Sequence, residues 1–455
     1  MALMKTPAAG LTLKKIFLFW LPLAATWLMM SVEGPFIAAI IARLGEAKYN
    51  LAAYGVAFSL ALIIEAPVIM IMSASTALVK DRISYKKLRN FTNGMNVAIT
   101  AIMLILCIPA IFYPIAEDLI NLPAEVARLT HIGFITMLPW PAAIGIRRFY
   151  QGILIRNNLT RLVAYGTVTR LIAMIATGWG LYFLGTVEGV VIGTSALSMG
   201  VTIEAIASRF MVHKMIKKLL ATDFSPENPA DTPQTYRSIA KFYYPLALTP
   251  MIALTSQPIV IFFVGQGRLP LESLAVFPVI HSLIFVFRSM GISYMEVTIA
   301  CIGENNEGYK PLRNFAAILG FSCVGILGLI AFTPLADIWF GVISGLPQDL
   351  TDFSKLPTQI FTVIVGLSVL QSFQRGILVN ARMTPPITFA TLLEAFSVVI
   401  FLIITIHYLD MVGVVAGVIS LVLGRLAANL YLFPPFFKAI NKNRLVIPES
   451  QTISN

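Results

Sequence analysis

The sequence predicts an all-α integral membrane protein in which twelve transmembrane helices form two six-helix lobes related as parallel repeats. Three observations predict this fold class: the composition, a series of long apolar segments, and an internal repeat. Of the 455 residues, 57% are hydrophobic and only 12% are charged, whereas a soluble domain carries roughly 25% charged residues. The composition therefore excludes a soluble enzyme, a disulfide-rich secreted domain and a disordered chain.

Twelve apolar segments are long enough to cross a bilayer, which requires about 20 consecutive residues of helix. Several segments are longer than this and contain proline, so we expect tilted or kinked helices. The segments are 16–41, 51–79, 91–116, 129–153, 162–184, 188–213, 238–264, 272–301, 312–338, 356–380, 386–407 and 411–437.

The two halves of the chain repeat at a nearly constant offset. Pro22 and Pro35 recur at a single offset as Pro245 and Pro258, and the motif that begins at Tyr85 recurs from Tyr309, at an offset larger by one position. Because each half holds an even number of helices, both halves start on the same side of the membrane and are parallel repeats. The first segment has a counterpart in the seventh, which argues against a cleaved signal peptide. The predicted division is an N-lobe 1–213, a cytosolic linker 214–236, a C-lobe 237–437 and a cytosolic tail 438–455.

The basic residues predict the orientation in the membrane. With the N-terminus in the cytosol, the inner segments hold 22 Lys and Arg, Arg382 among them, and the outer loops hold five. This asymmetry places both termini in the cytosol of a multi-pass protein in the plasma (inner) membrane. The net charge of +11 then records orientation rather than nucleic-acid binding. No GxxxxGK[ST] loop is present, so any transport is secondary, and no metal site or cofactor is expected beyond coupling to H⁺ or Na⁺.

Six arginines and five glutamates lie inside the apolar segments, where a charge costs about 2.5–3.5 kcal/mol. One interpretation is that they form structural ion pairs. The other is that Arg288, Arg375 and Arg425, with Arg147 or Arg148, line a cavity that binds an anion, because guanidinium matches carboxylate and phosphate groups. The full set is Arg147, Arg148, Arg170, Arg288, Arg375, Arg425, Glu33, Glu65, Glu204, Glu296 and Glu394.

The glutamates supply candidates for ion or proton coupling. Glu33 and Glu65 lie beside the kinking prolines Pro35 and Pro67, and a buried glutamate is protonated more readily than an exposed one. Capping of a kinked helix is the structural alternative. We assign Glu204 and Glu394 to the same class of coupling candidates. Arg170, Glu296 and His281 are predicted as charge partners.

Buried charges also differ between the two halves. At equivalent positions of the repeat, Arg170 corresponds to Glu394, Val201 to Arg425, and Gln151 to Arg375. Charge asymmetry inside a symmetric scaffold suggests a binding site, although sequence drift produces the same pattern.

Several stretches resemble the progressive ankylosis (ANK) family of the multidrug/oligosaccharidyl-lipid/polysaccharide (MOP) exporter superfamily, which includes the MATE transporters. The stretches are Leu51–Leu60, Pro245–Leu248 with Pro258, and Gly152–Leu154. The resemblance implies two lobes in a V around a central cavity, alternating access, and export of a small organic or phosphorylated anion such as pyrophosphate, a nucleotide or citrate. We expect a monomer in the lipid bilayer with no nucleic-acid partner.

Other functions stay open at this point. Within the superfamily the alternatives are a proton- or sodium-coupled multidrug exporter of the MATE type and a flippase for lipid-linked precursors. A major facilitator fold also has six plus six helices, but the glycines of its loop motif are missing. A membrane enzyme lacks a His-x4-Asp or paired-carboxylate motif, so we expect no enzyme. A non-transporting scaffold or receptor predicts that the intramembrane arginines are dispensable.

Overall fold

The computed structural model describes residues 11–157, 159–223, 234–303, 306–381, 383 and 385–444, and its regular structure is helical. Residues 224–233 of the predicted linker, most of the predicted tail (445–455) and Arg382 lie outside the described residues.

Up to residue 221, the described part of the chain contains eleven α-helices. Capping fixes where some of them begin: Asp81 accepts hydrogen bonds from the backbone N–H groups of Ile83 and Ser84, and the Ser84 hydroxyl binds the Asp81 backbone N–H in return, a reciprocal capping box. The helices are α1 (Leu13–Ser31), α2 (Glu33–Ala42), α3 (Ala47–Glu65), α4 (Ile71–Leu78), α5 (Arg82–Leu106), α6 (Pro109–Tyr113), α7 (Ala124–Thr136), α8 (Trp140–Arg156), α9 (Thr160–Leu184), α10 (Gly189–Met211) and α11 (His213–Ala221).

Seven α-helices follow. The first of them also begins at a capping box, formed by Thr235 and Ser238. The helices are α12 (Tyr236–Val264), α13 (Pro270–Cys301), α14 (Tyr309–Phe332), α15 (Leu335–Asp337), α16 (Gln348–Asn380), α17 (Pro385–Ile403) and α18 (Gly413–Arg444).

The described chain contains ten helical stretches long and apolar enough to cross a membrane, or eleven when a bent pair counts as one span. The bent pair joins Arg82–Leu106 to Pro109–Leu119 at 79°. The all-helical, multi-pass character of the prediction is therefore confirmed. The number of twelve transmembrane helices stays a prediction. In that prediction, α12 corresponds to the seventh segment, 238–264.

Backbone irregularities recur at the offsets found in the sequence. Glu46 and Leu269 both have positive φ, at 53° and 51°, and are separated by the same offset as the repeated prolines. Asn121 and Gly345 have φ of 62° and 72° and are separated by the same offset as the repeated tyrosine motif. Two π-helical turns, Pro114–Leu119 and Ile338–Ile343, start at positions separated by that second offset. The repeat thus includes local bends as well as side chains.

By its internal contacts the chain divides into two compact units. Unit 1 comprises Ile37–Val276, and unit 2 comprises Ala2–Phe36 together with Phe277–Asn455. The lobes 1–213 and 237–437 stay a prediction, because they describe equivalence in sequence whereas the units describe packing.

The core of unit 1 is formed mainly by α3, α4, α7, α8 and α10. Asn50 on α3 accepts a hydrogen bond from the Val190 backbone N–H at 2.8 Å, and Ser75 on α4 donates to the Phe149 carbonyl oxygen at 2.8 Å. These bonds tie the short α4 and the start of α10 to their neighbours.

Helix α1 packs against the core of unit 2 through the buried side chains of Ile16, Trp20 and Ala24. The Trp20 indole donates to the Ser293 hydroxyl on α13 at 2.9 Å, and the ring lies edge-on to Phe315 on α14 at 5.8 Å between centroids. Tyr294 donates to the Leu312 carbonyl oxygen at 2.6 Å. Aromatic packing thus joins α1, α13 and α14.

Candidate functional site

A charge cluster lies inside unit 1 around the carboxylate of Glu204, which is 0% exposed. Arg147 on α8 donates to one carboxylate oxygen at 2.6 Å, and Gln151 on the same helix donates to the other at 3.0 Å. Arg170 on α9 places its Nε 3.6 Å from the first oxygen. These four residues, hereafter the unit 1 cluster, join α8, α9 and α10 through one buried acid.

Arg148 and Glu65 lie beside the unit 1 cluster and have weaker partners. Arg148 lies about 100° from Arg147 around the axis of α8 and contacts the sulfur of Met72 at 3.8 Å. Glu65 is buried and accepts a hydrogen bond from the indole of Trp140. Glu65 ends α3, directly before the 3₁₀ turn that contains Pro67.

A second cluster lies inside unit 2 and forms a closed ring. Arg425 on α18 donates through Nε to Glu394 Oε1 at 2.8 Å and through Nη1 to Gln371 Oε1 at 2.8 Å. The Gln371 amide donates to Glu394 Oε2 at 3.1 Å. Each member therefore binds both of the others.

Two further arginines surround the ring. Arg375 lies one turn after Gln371 on α16, and its one hydrogen bond within the described residues goes to the Thr391 hydroxyl at 3.0 Å. Arg288 on α13 has no hydrogen bond or ion pair to any residue in the described part of the chain, and its Nε is buried. Glu394 interacts electrostatically with both of them and with Arg425.

The unit 2 cluster, defined as Arg288, Gln371, Arg375, Glu394 and Arg425, therefore carries three guanidinium groups and one carboxylate. Its net charge of +2 is held on membrane-spanning helices.

Small residues allow the helices to meet at each cluster. A Cβ on Gly424 would lie 3.0 Å from the Glu394 carbonyl oxygen, and a Cβ on Gly200 would lie 3.2 Å from the Arg170 carbonyl oxygen. The two glycines hold equivalent positions of the repeat, as do Arg170 and Glu394. The same close approach of neighbouring helices is thus built twice.

The two clusters occupy equivalent positions of the repeat with their charges exchanged. On the fourth and tenth apolar segments, Arg147 and Gln151 correspond to Gln371 and Arg375, so arginine and glutamine trade places. On the fifth and eleventh segments, Arg170 corresponds to Glu394. The acid of unit 1 lies on α10, whereas the equivalent helix α18 supplies the base Arg425.

Three other residues predicted for the site lie outside both clusters. Glu33 is in the first turn of α2, directly after α1 ends, and has interaction partners there. Glu296 is exposed, and His281 stacks on Phe277 with ring centroids 5.9 Å apart. The structure therefore places seven of the twelve residues predicted for the site in the two clusters and two more, Arg148 and Glu65, beside the unit 1 cluster.

Gln371 binds Glu394 and Trp140 binds Glu65, although neither residue is among those that the sequence predicts for the site. Neither side chain is charged, so a search for ionisable residues in the apolar segments does not find them. The available signal for Gln371 is its spacing of four residues before Arg375, which places both side chains on one face of a helix.

Within the described residues, no group of three His, Cys, Asp or Glu side chains is placed to hold a metal ion. The site chemistry available is hydrogen bonding and charge attraction from guanidinium and amide groups, which suits carboxylate or phosphate oxygens.

Residues 4–303 match the family model of the progressive ankylosis protein (ANKH). No curated protein sequence matches the chain.

Solved structures of MOP-superfamily transporters share the fold. A multidrug resistance MATE family transporter in an inward-facing conformation superposes with a TM-score of 0.68 at 16% identity, over 93% of this chain and 99% of the other. The lipid II flippase MurJ gives a TM-score of 0.70 at 16% identity, over 93% and 90%. A MOP superfamily transporter from Pyrococcus furiosus gives 0.60 at 17%, over 96% and 98%.

Proposed function

The chain belongs to the progressive ankylosis (ANKH) family, and on that premise we propose that it is a secondary transporter of small organic or phosphorylated anions that works by alternating access. Pyrophosphate, nucleotides and citrate-like acids are the substrate classes proposed. The transporter is a monomer of twelve transmembrane helices in the plasma membrane, with both termini in the cytosol.

The excess positive charge of the unit 2 cluster carries this proposal. Arg288 has no protein partner in the described chain, and Arg375 binds only a neutral hydroxyl. A guanidinium without a counter-charge costs about 2.5–3.5 kcal/mol in a membrane-spanning helix. An anionic ligand would offset that cost, and the planar guanidinium fork binds carboxylate and phosphate oxygens through paired hydrogen bonds.

A structural relative gives further support. The Pyrococcus furiosus transporter is described as having a binding pocket of reverse polarity that suggests a different function. The same fold therefore accommodates pockets of either polarity. A cationic drug, the substrate of the MATE-type alternative, would be repelled by the unit 2 cluster.

For coupling to H⁺ or Na⁺ we propose Glu65 as the first candidate. Its carboxylate binds a neutral indole and, among the residues that the structure describes, forms no ion pair at 4.0 Å or closer, unlike Glu204 and Glu394. It also lies at a helix break, where a change of protonation state can alter the bend. Glu33, at the break between α1 and α2, is the second candidate, and Glu204 and Glu394 follow.

Flux assays in proteoliposomes test the proposal. We expect purified protein to move radiolabelled pyrophosphate, nucleotide or citrate, and Arg288→Gln and Arg375→Gln to lower that flux at least about tenfold, as expected for loss of one charge–charge contact. Arg128→Gln is the matched control, because Arg128 is exposed and pairs only with the surface acids Glu125 and Glu188. Its flux should equal that of wild type.

Two results would overturn the proposal. Full flux in both unit 2 variants would remove these arginines from the site. Movement of a cationic dye or a lipid-linked pyrophosphate, without movement of any water-soluble anion, would favour the multidrug exporter or the flippase instead.

A further inference from the structure

The three arginines of the unit 2 cluster are not equivalent. Arg425 is neutralised by Glu394 at 2.8 Å and is fixed further by Gln371. Arg375 and Arg288 form no ion pair with a carboxylate in the described part of the chain. The cluster is therefore a neutral ring beside two uncompensated positive charges.

We propose that Glu394 is a specificity-determining residue that sets the charge of the anion site to +2 and so selects the divalent form of the substrate. The inference rests on the proposed function and refines its substrate class. A dianion neutralises Arg288 and Arg375 together. A monoanion leaves one of these charges unpaired, and a trianion brings a charge that Glu394 repels.

The surroundings of Glu394 differ from those of a purely structural acid. In unit 1 the Glu204 side chain is 0% exposed and its partner Arg147 is 8% exposed, so that pair is sealed. In unit 2 the Glu394 side chain is 19% exposed and that of Arg425 is 12% exposed. A solute that reaches Arg288 and Arg375 therefore meets the field of the Glu394 carboxylate.

The repeat supplies a second argument. Unit 1 packs the same helix junction with the opposite polarity, using Arg170 where unit 2 has Glu394. Helix packing at this junction therefore does not require an acid at position 394. What the acid changes is the charge count around Arg288 and Arg375.

The test measures transport of three carboxylates of similar size that carry one, two and three charges: butyrate, glutarate and tricarballylate. Wild-type protein should prefer glutarate. Glu394→Gln keeps the shape of the ring and raises the site charge to +3, so the ratio of tricarballylate flux to glutarate flux should rise about tenfold. Arg425→Gln lowers the charge to +1, and the same ratio should fall.

The double variant Glu394→Gln/Arg425→Gln separates charge from shape. It removes both members of the pair and leaves the net charge at +2, so the wild-type preference should return. Should Glu394→Gln fail to fold, the lowered ratio of Arg425→Gln and the wild-type ratio of the double variant still decide the question. Glu125→Gln changes an exposed charge of unit 1, outside both clusters, and should leave the ratio unchanged.

The outcomes separate this inference from the function on which it rests. If wild-type protein moves none of the three carboxylates and none of the phosphorylated anions, the proposed anion transport itself is wrong. If it moves them and the flux ratio does not follow the charge count in these variants, Glu394 is a structural partner of Arg425 and the inference is wrong.

Discussion

Arg170 and Glu394 occupy equivalent positions of the internal repeat, and each forms an ion pair with the helix that follows it. Arg170 lies 3.6 Å from Glu204, and Glu394 lies 2.8 Å from Arg425. Both halves therefore have an ion pair between equivalent helices, but the acid and the base have exchanged helices. In unit 1 the acid is surrounded by three donors and sealed, whereas in unit 2 the acid leaves two arginines without a counter-charge.

The buried acid of unit 1 should contribute strongly to stability. Glu204→Gln removes the carboxylate that Arg147 binds at 2.6 Å, and breaking a buried pair in this way costs about 3–5 kcal/mol. We expect a clear fall in the thermal unfolding temperature of the detergent-purified protein.

The exposed pair of Glu125 and Arg128 provides the comparison for that experiment. Glu125→Gln should change stability by less than about 1 kcal/mol, because solvent screens surface pairs. Equal effects from the two variants would contradict a stabilising role for Glu204.

The approach of α18 to α17 should depend on Gly424. A methyl group there would lie 3.0 Å from the Glu394 carbonyl oxygen, so Gly424→Ala should push the helices apart, cost about 1–3 kcal/mol and weaken the Arg425–Glu394 pair. The measurements are thermal unfolding and anion flux.

Gly328→Ala is the matched control for that substitution, since no atom lies within 4 Å of the added methyl. Alanine favours helix more than glycine does, so this variant should be neutral or slightly more stable. A Gly424→Ala variant that behaves in the same way would show that close packing at this point is unimportant.

The pH dependence of transport should change when Glu65 is replaced. If this carboxyl group gains and loses a proton during the cycle, Glu65→Gln is held permanently in a neutral form. Flux in the variant should then vary less with pH than flux in wild type, measured between about pH 5 and 8, where a buried carboxyl group titrates. Superimposable pH profiles would leave Glu65 as a structural partner of Trp140.

Trp20 should anchor α1 within unit 2. Trp20→Phe removes the donor that binds Ser293 and leaves that buried hydroxyl with one partner fewer, which costs about 1–3 kcal/mol. Trp179→Phe is the control, because Trp179 is 43% exposed, and its effect should stay below about 0.5 kcal/mol. Similar unfolding temperatures for both variants would argue against the anchor.

The sequence predicts the helices well because length and apolarity alone define a membrane span. It also identifies the ionisable residues, since charges are rare in such segments. Their pairing could not be predicted, because whether Arg147 or Arg148 faces Glu204 depends on the rotation of α8 by one residue. Gln371 carries no charge signal at all.

The sequence pattern also could not predict which helices α1 packs against. An apolar helix shows that it is buried in lipid or protein, but many surfaces satisfy the same pattern. The bond between Trp20 and Ser293 depends on which neighbour the tertiary structure supplies.

The Trp20–Ser293 bond joins residues separated by 273 positions in the chain, and this separation constrains biosynthesis. The ribosome releases α1 long before it makes α13, so the indole enters the bilayer before its acceptor exists. Unit 2 is therefore completed only after the later helices have been inserted, and a nascent chain stalled before Ser293 would expose α1 to quality-control proteases that recognise unassembled membrane segments.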